Sequence, residues 1–204
     1  MDLERILTKP FRKLQYVERQ IYERLYQRFY DLYEKDKEAD GEISKKMVNL
    51  GRSVKYFAGT LAAATGTYLY KRLIDGNASP SELIFLGGIT SAGIGLASHF
   101  YAQENISQAI LKKNTKRDLT SEEKIRISRL GKIGKGSHFI SAIALGVSFV
   151  DVAILNPKFL AILPILPFWY RFTIHKGYGA VYDSEVDYVL DERKKFPEKT
   201  SQIN

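Results

Sequence analysis

The chain of 204 residues contains no cysteine, which excludes disulfide scaffolds, thiolate zinc sites and cysteine nucleophiles. An apolar leader core is missing too. Residues 1–20 alternate charge with single apolar residues (Leu3, Ile6, Leu7, Phe11, Leu14), so no cleaved signal peptide is expected, and in a membrane the first hydrophobic span would act as an uncleaved one. Long stretches also lack charge. Nearly all of it falls in residues 1–55, 104–135 and 171–199, and the mean hydropathy of −0.23 averages these with apolar, aromatic stretches too long to stay solvated. No catalytic motif stands out, so neither an enzyme nor a bound cofactor is expected.

Four apolar stretches carry the fold. Residues 83–103 are 21 uncharged residues in a row, enough at about 1.5 Å each to cover a bilayer core of roughly 30 Å. In front of them, Ser79, Pro80 and Glu82 form a capping box with proline at the first helical position. Residues 56–70 are uncharged between Lys55 and Lys71-Arg72, whose stems can snorkel, so 54–74 is long enough to cross. Tyr56, Tyr68 and Tyr70 fall where an interfacial aromatic belt would lie. Residues 139–156 are apolar apart from Asp151, and 159–170 form a shorter stretch with Pro164 and Pro167 that spans only when extended to Ile174. Small residues recur four apart at Gly59/Ala63, Ala62/Gly66, Gly88/Ala92, Ser91/Gly95 and Ala142/Gly146. Membrane helices use such residues for close approach, whereas a soluble core helix loses about 1 kcal/mol per glycine.

The expected fold is therefore all-α: an integral membrane protein with about four transmembrane helices in two hairpins, plus cytoplasmic amphipathic helices. Its segments are an N-terminal amphipathic arm (1–53), a first transmembrane hairpin (54–103), a basic cytoplasmic loop with a short helix (104–137), a second hairpin (138–174) and a C-terminal helix and tail (175–204). The two short connections hold only Lys71, Arg72 and Lys158. The other 28 of the 31 basic residues lie in the arm, the middle loop and the tail, so the positive-inside rule places both termini in the cytoplasm.

Apolar residues recur along the arm in steps of three and four at Leu3, Leu7, Phe11, Leu14, Val17, Ile21, Leu25, Phe29 and Leu32, beside a second row of Tyr22, Tyr26, Tyr30 and Tyr33. This is an amphipathic helix. Its signs balance, twelve basic against ten acidic residues over 1–53, so charge alone does not hold it to lipid. The face suits packing within the protein, self-association or a protein partner, and Ile21, Tyr22, Leu25, Tyr26, Phe29, Tyr30 and Leu32 are the candidate partner-binding residues. The middle loop concentrates positive charge, with nine basic against four acidic residues over 103–137. Beside a bilayer, residues 112–135 read as an anionic-lipid contact; interleaved acids argue against nucleic acid. Thr120 and Glu123 form a capping box for a helix over 122–130.

Two motifs fail on inspection. Residues 131–137 lack the lysine after the last glycine and the preceding strand of a phosphate loop, and read as a flexible hinge into the third span. Residues 183–194 open like a calcium loop but lack the turn glycine and the closing glutamate, and read as a solvated helix over 183–195 with Val186, Val189 and Leu190 inward. His99, His138 and His175 all fall at the cytoplasmic boundary and are the candidates for a metal or proton relay, but without an i, i+4 pair they read first as amphipathic anchors. Asp151, an acid in an apolar span, is the candidate transport residue. The leading function is thus a non-enzymatic, multi-pass membrane protein acting as an interaction or assembly subunit. The alternative is a small transporter or channel using Asp151 with Thr65, Thr67, Thr90, Ser91 and Ser148.

Overall fold

The computed structural model describes the backbone of residues 3–155 and 176–196, and the side chains of 14–148, 150 and 176–196. Five α-helices make up these residues: α1 (Leu3–Glu38), α2 (Glu42–Ile74), α3 (Pro80–Asn114), α4 (Ser121–Leu155) and α5 (Gly179–Leu190), the last entered through a π-helical turn at 176–178. No strand occurs among the described residues. The protein is all-α, and among the described residues α3 is the one helix long and apolar enough, by length and composition, to cross a membrane.

Local chemistry explains the boundaries. The Ser79 hydroxyl accepts the Glu82 amide at 3.2 Å while the Glu82 carboxylate accepts the Ser79 amide at 3.1 Å, with Pro80 opening α3. Thr120 and Glu123 repeat the exchange in front of α4. Between α1 and α2 the chain reverses through Asp40 and Gly41, both at positive φ. Gly41 takes its left-handed backbone without the strain a side chain would bring, and a Cβ there would press on the end of the Leu111 side chain. Asp36, at the end of α1, then caps α2 by accepting the amides of Ile43 (2.7 Å) and Ser44 (3.2 Å).

Short turns at 75–79 and 115–120 make α2, α3 and α4 antiparallel neighbours, with α3 in the middle. At one end of this bundle α1 and α5 pack on each other and on the ends of α3 and α4. Large side chains fill that end: Tyr26, Tyr33, Ile106, Ile110, Tyr182, Tyr188 and Val189 are wholly or almost wholly buried. Toward the other end the rule inverts. Between the helices lie Ala58, Ala62, Ala92, Gly93, Gly95, Ser141 and Ser148, while Phe57 (71%), Tyr70 (66%), Ile94 (57%) and Ile140 (57%) point outward. Close approach is the reason for the small residues. A Cβ on Gly93 would sit 2.9 Å from that of Ala62, and one on Gly95 would sit 2.8 Å from the Ser137 carbonyl oxygen. Of the most apolar 18 residues of α3, only 22% are buried.

The helix expected over 122–130 and the hinge expected over 131–137 are one unbroken helix with the following apolar stretch. The segment limits at 53/54, 103/104 and 137/138 likewise fall inside α2, α3 and α4. Physically, the glycines are there for space: a Cβ on Gly131 would meet Val186 at 2.6 Å, and one on Gly134 would collide with the Tyr182 ring. The fourth apolar stretch and His175 lie outside the described residues, as does the side chain of Asp151.

Candidate functional site

The arm's tyrosines and the acids of α5 form a ladder. Along α1, Tyr22, Tyr26, Tyr30 and Tyr33 recur every three or four residues and share a face. Opposite them, Tyr22 donates to Asp183, Tyr26 to Asp187 at 2.9 Å and Tyr33 to Glu185 at 2.6 Å. Tyr30 closes the row edge-on to Tyr188, ring centroids 5.5 Å apart. Lys135 of α4 pairs with Asp183, and Lys194 reaches both Asp183 (3.2 Å) and Asp187 (3.4 Å). Burial pushes the Tyr22 and Tyr26 hydroxyls well above their ordinary value, so they remain donors. Burial pushes the Asp183 carboxyl upward as well, but the bonds from Lys135 and Tyr22 and the nearby lysine charges outweigh it and hold it low.

Deeper in, Asn114 of α3 joins three helices: its amide nitrogen donates to Asp36 at 3.0 Å and its oxygen accepts from Tyr188 at 2.6 Å. Glu185 is wholly buried, with one oxygen accepting from Tyr33 and from Gln103, both at 2.6 Å. On α2, Arg52 (3.1 Å) and Lys55 (2.6 Å) converge on Glu104, beside the close crossing at Gly51.

A second cluster sits where the two halves of the bundle meet. The rings of His99 and His138 lie 4.6 Å apart, with Tyr178 4.1 Å from His138. The Tyr182 hydroxyl is 3.0 Å from both Nδ1 and the carbonyl of His99. Both ring nitrogens of His138 are buried with no hydrogen-bond partner among the described residues. No group of three or more metal-ligating side chains occurs among those residues.

Of the candidate partner-binding residues, Tyr26 and Tyr30 are buried and Tyr22 is half-buried against α5; Leu25 and Phe29 are half-buried and packed against the same core, and Ile21 and Leu32 are half-buried. Two of the three histidines come together. Of the polar residues named for a transport path, the Asp151 side chain lies outside the described residues. Thr65 and Thr90 bond each other at 3.0 Å, Ser148 bonds the Ala144 carbonyl at 3.1 Å, and Thr67 and Ser91 face outward. The acids Asp183 and Asp187, expected as solvated, are ladder members, and Glu185 lies deeper still; alternation of acids at 183, 185 and 187 opposite a tyrosine row was the available signal. Comparison with protein-family models, with curated proteins and with solved structures finds no match to this chain.

Proposed function

We propose that the chain is a multi-pass integral membrane protein without an enzymatic role, whose bilayer-embedded helices carry a fixed assembly unit built from α1, α5 and the polar ends of α3 and α4. The observation that carries the reading is the inversion of size and burial along the bundle. Water would strongly disfavour a surface of Phe57, Tyr70, Ile94 and Ile140 over a core of glycine and alanine, whereas lipid accepts it. Three features support the four-span count. The belt residues Tyr56, Tyr68 and Tyr70 are exposed on α2, and α4 continues through the third apolar stretch. Helix α4 is described as far as Leu155, roughly 26 Å beyond His138 at about 1.5 Å per residue, and Tyr178 lies beside His138 again. The basic residues gather at the end where α1 and α5 sit, which supports cytoplasmic termini.

At that boundary Arg129 and Lys132 are exposed on α4 next to exposed Ile133, a pattern that suits anionic headgroups. An assembly role is supported by how the titratable groups are used: each acid of α5 holds a tyrosine rather than facing an open site. With the tyrosine row turned inward, the surface left for a partner or second copy is the arm's other side, where Tyr16 and Val17 are exposed. Replacing both by Asp should remove a larger complex on native gels of gently solubilised membranes while leaving melting temperature unchanged. A complex of unaltered size would overturn the assembly reading.

A further inference from the structure

Glu185 differs from every other acid in the ladder. It is wholly buried where α1, α3 and α5 meet, one oxygen accepts from Tyr33 and Gln103, and the other oxygen is buried with no partner among the described residues. Among the described residues no cation reaches it. The groups around it are Tyr33 from α1 with Asp36 beyond, Gln103 from α3 and Tyr182 on α5 itself, while α4 meets this part of α5 with Gly131 and Gly134. The neighbouring lysines are engaged elsewhere: Lys135 with Asp183, Lys194 with Asp183 and Asp187, Lys113 with Asp191.

A buried carboxylate with two donors and no counter-charge is costly, and a neutral carboxyl in the same place costs far less. We propose that Glu185 is a proton-binding latch: the carboxyl joining α1, α3 and α5 is seated in its protonated form, and loss of that proton loosens the arm from the bundle. The latch rests on the geometry where α1, α3 and α5 meet and is independent of the membrane reading. Burial pushes the carboxyl from 4.5 up to about 7, against the opposing pull of the Tyr33 and Gln103 bonds. The seated arm therefore holds a proton that the released arm gives up. As pH rises from the ordinary carboxyl value to the seated one, release is favoured progressively, and above the latter the effect levels off.

The test uses the full chain in detergent, comparing wild type with Glu185→Gln, which keeps the shape but has no proton to lose. The readout is the ratio of their tryptic cleavage rates within α1 at each pH between 5 and 8.5. The ratio of wild type to variant should rise by tenfold or more as pH climbs to about 7.5 and then flatten. A ratio independent of pH would overturn the proposal. Tyr33→Phe gives a second reading that leaves the carboxyl in place: it removes a donor that favours the charged form, so the pH at which the wild-type arm loosens should move upward. An unmoved midpoint would also overturn it.

Discussion

Gly134 and Gly136 stand two residues apart in α4 and serve opposite ends. A Cβ on Gly134 would enter the ring of Tyr182, which is buried and held against His99, so the ring has no cheap way to move. A Cβ on Gly136 would meet nothing within 4 Å. Gly134→Ala should therefore lower stability by about 1–3 kcal/mol through overpacking. Gly136→Ala should raise it by roughly 0.5–1 kcal/mol by removing a flexible residue from a helix interior. Thermal unfolding of the purified protein checks both, and equal effects of the two changes would contradict the role given to Gly134. Asp36 is a third test at this scale. It caps α2 and accepts the Asn114 amide, so Asp36→Ala removes several charge-assisted bonds at a buried joint and should cost at least about 3 kcal/mol.

Among the elements, the pairing of α1 with α5 holds the chain's two ends together. Leu25 and Phe29 pack beside the tyrosine row, and a fully buried side chain of either type is worth roughly 1.5–3 kcal/mol. Replacing both by Asp should release the arm and lower the melting temperature, yet leave α2–α4 assembled, since that contact uses other residues. Loss of the whole protein from membranes would contradict this division. The pairing of α1 with α5 should also weaken in acid: the seated Asp183 carboxyl is held below its ordinary value, so its contribution is present above that value and lost as pH falls through the seated one. Periodicity made α1 legible, and the capping boxes of Ser79 and Thr120 made two helix starts legible. What they touch was less so. The contact of Tyr33 with Glu185 spans 152 positions, and no local pattern encodes a pairing at that range. Glycines at 131 and 134 read as a flexible hinge, whereas the helix needs them for the room taken by Val186 and Tyr182.

For the whole molecule, the proposed membrane reading implies an apolar half that faces lipid and a polar end that holds the folded unit. Orientation is open to a direct test, because the chain has no cysteine and single ones can be placed freely. Cysteine at Asn77 should react with an impermeant thiol reagent from outside intact cells, while cysteine at Arg117, in the opposite turn, should be protected. The reverse pattern would invert the topology. The central claim, that lipid covers the outward Phe57, Tyr70, Ile94 and Ile140, is tested most directly by alkaline carbonate extraction of membranes from cells expressing the full chain. The account predicts that the protein stays in the membrane pellet and leaves it only with detergent; recovery of most of it in the aqueous fraction would contradict it.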